Sequence, residues 1–222
     1  RGPAGPSPYA DACPACKLFG CTGTASRLQL ADADLAPGYR SVYRDMIGID
    51  RFTGGVHTGS SGGEEAARGG ANMRFHALEG TTFTAKVMVT NFELWHLGLL
   101  AHVFRDFADG LVAIGFGKSK GFGQVVGKVA TATLAYPPSL GGVAFHHLGS
   151  LASAAEKVRY DLHDWPVPAL PEPLPRQLDQ GLALYETYQV ADLDALWHAG
   201  ADAFADFVRH LGDARAPGGS AA

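Results

Sequence analysis

The chain has only three cysteines, which form the pattern C-x2-C-x4-C at Cys13, Cys16 and Cys21. Clustered cysteines without a secretion signal indicate a metal site more than a disulfide. Zinc takes four ligands in a tetrahedron, so the three cysteines leave one ligand to find. The candidates for it are His57, His76 and a residue before Arg1. Such a site is structural, because four protein ligands leave no open position for a reacting water. A thioredoxin-like redox pair and plain buried thiols are the alternatives, although Cys-Pro-Ala-Cys here does not open a helix after a strand.

A glycine- and lysine-rich segment, residues 115–123, is the second place where chemistry is expected. Its glycines let backbone N–H groups approach a phosphate, its lysines add positive charge, and its phenylalanines can stack on bases. Val112 stands where a Walker A loop needs glycine, and Lys120 breaks a dinucleotide-binding G-x-G-x-x-G, so no nucleotide cofactor is expected. A plain hairpin with solvated lysines is the alternative. The candidate binding residues are Gly117, Lys118, Ser119, Lys120, Gly121 and Phe122.

A third candidate segment is IDRFTGG at residues 49–55. Arg51, together with Arg44 a few residues earlier, can pair with phosphates, and Phe52 can wedge between bases or stack on them. A local salt bridge between Asp50 and Arg51 is the alternative. Taken alone, this segment does not establish a function.

The elements that must position these segments alternate between strand and helix patterns. Residues 81–90 alternate apolar and polar side chains as a half-buried strand does, and a shorter candidate strand starts at Ser26. A helix follows, with Asn91 as its N-cap and Gly110 as its stop. Its apolar stripe, at four-residue spacing, consists of Trp95, Leu99, Val103 and Phe107.

Two further strands are predicted at residues 111–115 and 124–134. The order strand, helix, strand is half of a ferredoxin-like unit. The strand and helix that should come before Ser26 are missing from the sequence. We therefore expect an α+β protein with a ferredoxin-like core that is incomplete at its N-terminus.

The chain divides into four regions by composition. Residues 1–11 predict a flexible lead and residues 215–222 a disordered tail, because both are rich in proline, glycine or small residues. Residues 12–140 form the predicted core, with a glycine-rich loop at residues 52–74 that has no apolar periodicity. Residues 141–214 complete the domain.

The last region ends in a predicted amphipathic helix after a proline-rich link. Asp192 can cap this helix, which is interpreted as a packing element rather than a site. Its apolar side consists of Leu193, Leu196, Trp197, Phe204, Phe207, Val208 and Leu211.

Composition excludes several classes of protein. With 222 residues and 46% hydrophobic side chains, the chain can bury a sizeable core and is not disordered throughout. It has no uninterrupted apolar run of transmembrane length and no signal peptide, so a soluble cytoplasmic protein without a membrane partner is expected. Residues 1–130 carry 13 basic and 11 acidic side chains, whereas the rest carry 5 and 11. A polyanion should therefore meet the first part.

In their order along the chain, these segments resemble the RAMP superfamily of CRISPR effector proteins, especially the repeating backbone subunits of type III complexes. The cysteine segment followed by Ala25-Ser-Arg-Leu resembles the family's cysteine segment and the strand after it. Residues 49–55 resemble the run that enters a protruding thumb hairpin, and residues 115–123 resemble the glycine-rich signature. The resemblance covers roughly residues 12–135.

The resemblance implies an RRM-type, ferredoxin-like core with a zinc-stapled loop and a thumb-like hairpin, in copies that stack along a guide RNA. Its partners would be guide RNA (crRNA), target RNA and other RAMP subunits. By this likeness the glycine-rich loop and the segments near Arg27 and Arg51 hold the guide backbone, with Phe52, Thr53 and Gly54 at the entry to the thumb.

The resemblance leaves catalysis open. Family members that cut target RNA use an aspartate in the N-terminal part of the fold, and Asp32, Asp34 and Asp50 do not stand in the matching segment. A catalytic aspartate is therefore expected outside this sequence. The alternatives to a guide-binding subunit are a stand-alone guide-processing ribonuclease, which needs a placed histidine or tyrosine, and a zinc-stapled structural module without RNA. The helical histidines, His96, His102 and His198, are expected to pack rather than to catalyse.

Overall fold

The computed structural model describes residues 8–55, 73–137, 140, 145–167, 186–190 and 192–215. The chain forms two compact units, one from residues 1–29 and 88–222 and the other from residues 30–87. Helices and small two-stranded sheets make up the described parts, so the expected mixture of α and β structure is confirmed. No helix in these parts is long and apolar enough to cross a bilayer.

The helices of the described residues all lie in the first unit. They are α1 (Pro14–Phe19), α2 (Leu94–Ala108), α3 (Leu148–Leu151), α4 (Ala154–Tyr160) and α5 (Leu193–Arg215), with a 3-10 turn at Lys118–Lys120. Pro14 fits the first position of α1, where no N–H is needed, and the Cys13 sulfur caps it by accepting from the Cys16 N–H. The predicted last helix is confirmed. Asp192 caps it, with its Oδ1 accepting from the Ala195 N–H at 2.9 Å.

Helix α2 begins later than predicted. Asn91 does not cap it, because Asn91 lies in the left-handed region at φ 49° and the N-cap is Glu93. The Glu93 N–H donates to Nδ1 of His96 at 3.1 Å, which satisfies one donor at the helix start. The buried face also differs from the predicted stripe, since Val103 is 40% exposed. The buried side chains of α2 are instead Leu94, Trp95, His96, Leu97 and Leu100.

The core of the first unit lies where α2 packs on α5. Trp95 and Phe207 stack with ring centroids 4.1 Å apart and planes within 5°. Both side chains are at most 2% exposed, so truncating Trp95 to alanine should cost about 3–5 kcal/mol. Val208, predicted to lie on the apolar side of α5, is 49% exposed. The remaining buried members of this core are Leu94, Leu97, Phe145, Val190, Leu196 and Ala203.

The strands are short and pair two by two. Their bounds are β1 (Leu28–Leu30), β2 (Asp34–Leu35), β3 (Arg40–Met46), β4 (Met73–Glu79), β5 (Phe83–Thr84), β6 (Val87–Val89), β7 (Thr133–Tyr136) and β8 (Glu186–Gln189). In the described residues β1 pairs with β6, β2 with β5, β3 with β4 and β7 with β8. The candidate strand after Ser26 is thus confirmed as β1.

Three strand predictions need correction. Residues 81–90 form two short strands with different partners, not one. Residues 111–115 form a single bridge, Ala113 to Gln124, and residues 125–132 belong to no strand; among them, the Gly127 N–H donates to Phe107 O at the end of α2. Only the end of the last predicted strand is present, as β7. The ferredoxin-like arrangement therefore remains a prediction, since the described strands form no single larger sheet.

The second unit contains the antiparallel hairpin of β3 and β4, in a register that runs from Arg40 opposite Glu79 to Met46 opposite Met73. Most of the glycine-rich loop expected between these strands, residues 56–72, lies outside the described residues. The loop ends before residue 74, its predicted end, because β4 begins at Met73. The thumb-like hairpin expected between β3 and β4 therefore remains a prediction.

The predicted lead is also shorter than residues 1–11. Residues 1–7 lie outside the described part, but Tyr9 is only 6% exposed, and its hydroxyl donates to Oε1 of Glu93 at 2.6 Å. This contact ties the start of the described chain to α2. The proline-rich link, from residue 168 on, and residues 216–222 of the tail lie outside the described residues as well.

Candidate functional site

The glycine-rich loop, residues 115–123, is a closed turn in the first unit. Its ends meet where the Ile114 N–H donates to Gly123 O at 2.9 Å. The 3-10 turn lies at its tip between Gly117 and Gly121, which adopt left-handed φ values of 77° and 82° that favour glycine. A Cβ on Gly123 would lie 2.0 Å from Ile114 O, so this closure needs glycine.

The tip of this loop presents its lysines to solvent. Lys118, Ser119 and Lys120 are all exposed, and Phe116 is 67% exposed with the Lys120 ammonium 5.8 Å from its ring centroid. Phe122 is half-buried because its ring packs on Gly117. The loop therefore offers two positive charges, one exposed aromatic ring and small residues whose backbone is accessible. This combination suits a polyanion whose bases can stack.

Arg27 lies at a separate cavity of the first unit. Its guanidinium is 4.3 Å from the ring centroid of Tyr9 and donates to the backbone oxygen of Asn91. The cavity measures about 580 Å³. Its lining includes Thr24, Ser26, Arg27, Asn91, Glu156 and Tyr160, and no described residue of the glycine-rich loop contributes to it. The structure thus gives Arg27 a pocket without placing the lysine turn beside it.

The other predicted residues lie in the second unit. Asp50 shapes the turn, because its Oδ1 accepts from the N–H groups of Phe52 and Thr53 at 2.8 and 2.9 Å. As a result Phe52 is fully exposed, and Arg51 beside it is exposed too. Arg44 is exposed on β3, and Gly54 continues the turn with φ 65°.

The three cysteines lie in α1 and the segments that flank it, but their sulfurs are not among the described groups of ligand atoms that all lie within 4.8 Å of one another. Cys13, Cys16 and Cys21 are all free thiols. The N–H of Cys16 donates to the Cys13 sulfur and lowers the pKa of that thiol, while a contact with Thr24 lowers the pKa of Cys21. Donation to Cys13 raises the pKa of Cys16 to about 11. The lower pKa values of Cys13 and Cys21 make the thiolate, the form in which zinc binds cysteine, easier to reach.

The fourth ligand stays a prediction. His57 lies outside the described residues. His76 lies on β4 in the second unit, where its ring meets the Tyr43 ring edge-on at 4.1 Å. The three thiols and their backbone contacts fit zinc in type, and the site is incomplete without one further donor.

Sequence reasoning missed a buried polar group around the start of α2. Lys17 is 3% exposed and Glu93 is 1% exposed, which is rare for charged residues. Burial raises the pKa of Glu93, and the Lys17 ammonium donates to Oδ2 of Asp161 at 2.8 Å. A lysine in the segment CPACKLF has no sequence signal of burial, so only the fold could reveal this group.

The helical histidines separate into two kinds. His96 is fully buried, and burial lowers its pKa to about 3, so it is neutral at physiological pH and packs as expected. His102 and His198 are exposed, which corrects the expectation that they pack, although the His102 ring lies 5.8 Å from that of Phe204.

Comparison with known families finds a match that covers more than half of the chain. A family model described as the RAMP superfamily matches residues 2–126, more than half of the chain. This range includes the cysteines, the turn at Asp50, Arg27 and the glycine-rich loop. A search of curated proteins found no match.

Proposed function

Because this chain belongs to the RAMP superfamily, and so has a CRISPR-associated role in binding RNA, we propose that it is a guide-RNA-binding backbone subunit of a type III-like effector complex. Its partners in this proposal are the guide RNA, the target RNA and other RAMP subunits. The ferredoxin-like core and the structural zinc ion belong to the same proposal.

One observation carries the proposal: the exposed tip of the glycine-rich loop. Lys118 and Lys120 extend from a turn whose backbone is fixed by Gly117, Gly121 and the closure at Gly123. Contacts of this kind with phosphates set the position of the strand and do not read its sequence. We therefore expect the subunit to bind guides of any sequence through their backbone.

The turn at residues 50–55 supports a second contact. Phe52 is fully exposed, and its backbone N–H donates to Oδ1 of Asp50. The turn therefore holds the ring in solvent. In the proposal this ring meets unstacked bases, and Arg51 and Arg44 meet phosphates. Cleavage of the target, if the complex performs it, uses an aspartate outside the sequence described here.

A titration of single-stranded RNA tests the proposal. Changing Lys118 and Lys120 together to alanine should weaken binding about tenfold at moderate salt, equally for unrelated sequences, because phosphate contacts dominate. It should also reduce the slope of log K against log salt by about 1.4, or 0.7 for each lost phosphate contact. Lys128→Ala is the matched control for the single variant Lys118→Ala, since Lys128 is also exposed and its replacement also removes one positive charge. Equal affinities of the wild-type protein and the double variant at every salt concentration would contradict the proposal.

A further inference from the structure

A second group of metal-ligating side chains lies in the first unit, away from the cysteines in the sequence. Asp161, His163 and His210 offer ligand atoms that all lie within 4.8 Å of one another. They form the one such group found among the described residues. Asp161 and His163 are half-buried, and His210 is exposed on α5.

The backbone around Asp161 and His163 is fixed. Asp161 ends α4 in the left-handed region, at φ 54°, with its N–H donating to Lys157 O. Few residues other than glycine adopt this conformation, although aspartate and asparagine do so more readily than most. His163 follows two residues later, and its backbone lies so close to Gly149 that a Cβ there would be 1.8 Å from His163 O.

The ligand atoms of these three side chains lie close to one another. Lys17 bonds to Oδ2 of Asp161 and orients the carboxylate, so that Oδ1 lies 3.4 Å from Nε2 of His163. That nitrogen is buried and makes no hydrogen bond with a described residue. The His163 and His210 rings meet at 4.6 Å between centroids, at 69°. A buried imidazole nitrogen facing a carboxylate and a second imidazole has the surroundings of a metal ligand.

We propose that Asp161, His163 and His210 bind a zinc ion. Two imidazoles and one carboxylate are a donor set typical of zinc, and three protein ligands leave a fourth position for water or another ligand. Bonds of about 2.0–2.2 Å require the ligand atoms to draw together, which the exposed His210 can do by changing rotamer. The ion would link the segment after α4 to the last helix.

The charge around the group agrees with this assignment. The Asp161 carboxylate lies beside the Lys17 ammonium at 2.8 Å and the His163 imidazole at 3.4 Å, so it is already placed among groups that interact with a negative charge. The Lys17 charge opposes a nearby cation, which predicts moderate affinity. An ion-pair network of Lys17, Asp161 and His163 without metal is the competing explanation.

Metal analysis of chelator-treated protein reloaded with Zn²⁺ or Co²⁺ separates the two. The wild-type protein should hold about one equivalent more metal than His210→Ala. His198→Ala, which removes another exposed histidine of α5, should keep it. The thiolate charge-transfer absorption of the cobalt form should be the same in all three proteins, because it reports only the cysteines. Asp161→Asn keeps the side-chain shape and should also lose the equivalent.

Melting temperatures test the same proposal without a count of bound metal ions. Added Zn²⁺ should raise the melting temperature of the metal-free wild-type protein and of metal-free His198→Ala more than that of metal-free His210→Ala, which keeps only the shift due to the cysteines. The metal-free melting temperature of His210→Ala should match the wild type because His210 is exposed. Equal metal content and equal zinc-induced shifts in His210→Ala and wild type would overturn the proposal. Loss of the thiolate absorption together with the equivalent would do so too, since it would show an indirect effect on the cysteines.

Discussion

Gly98 of α2 and Gly200 of α5 touch through their backbones. A Cβ on Gly98 would lie 1.9 Å from Gly200 O, and one on Gly200 would lie 2.8 Å from the Gly98 nitrogen. Glycine inside a helix normally lowers its stability. Here the close crossing that the two glycines permit offsets that loss. This crossing also sets the distance at which Trp95 stacks on Phe207.

Gly98→Ala should therefore destabilise the first unit. Because the added methyl group meets backbone and not a flexible side chain, we expect the free energy of unfolding to fall by about 3 kcal/mol or more. Gly212→Ala on α5 is the control: its Cβ would meet nothing within 4 Å, and the higher helix propensity of alanine should raise stability by up to about 1 kcal/mol. Urea unfolding followed by tryptophan fluorescence measures both changes. Equal stabilities of the two variants would contradict this account of the crossing.

The closure of the glycine-rich loop predicts a second effect. Gly123→Ala should open the loop, because the new Cβ would lie 2.0 Å from Ile114 O and φ is 79°. RNA affinity should then fall although both lysines remain. Gly115→Ala has a similar φ of 78° but open space around its Cβ, so it should cost only about 1–2 kcal/mol of left-handed strain and keep the closure. Similar RNA affinities of the two variants would show that closure does not matter for binding.

The cysteine segment should bind a metal through thiolates. In the cobalt-loaded protein we expect an intense charge-transfer absorption, which Cys16→Ser should weaken strongly because it removes one of the three thiolates. Ser26→Ala, which alters a nearby hydroxyl group, should leave the absorption unchanged. A wild-type protein without this absorption would count against zinc at the cysteines.

His96 should make stability depend on pH. Burial lowers its pKa to about 3, while in the unfolded chain its pKa is about 6.5. Between these values the unfolded state binds the extra proton, so stability falls as pH falls, by roughly 1.4 kcal/mol per pH unit for this residue. His147, whose pKa burial also lowers, acts in the same direction, whereas the raised pKa of Glu93 acts in the opposite one.

Comparison with His96→Gln isolates the histidine, since glutamine keeps an acceptor near the Glu93 N–H and does not titrate. Denaturant unfolding at pH 7 and pH 5 should show a smaller loss of stability for the variant than for the wild type. An equal loss in both would mean that other groups dominate acid destabilisation.

Local patterns predicted only part of this structure. Helix α5 and its Asp192 cap follow from periodicity within one segment, and the glycine-rich loop follows from composition. The strands were harder, because contacts between distant segments decide them. Within residues 124–132, for example, the Gly127 N–H donates to Phe107 O at the end of α2 and Ala132 O accepts from the Val190 N–H. The group of Asp161, His163 and His210 joins residues far apart in the sequence, so spacing alone could not reveal it.

Lys17 directly follows Cys16 in the six-residue helix α1, and its ammonium ends on Asp161. A shift of the cysteine segment therefore moves the group that orients a proposed ligand of the second metal. If both ions bind, their affinities are linked, and each ion changes the affinity for the other by the same factor. Zinc binding at the cysteines would then depend on whether the second ion holds α5 to the segment after α4.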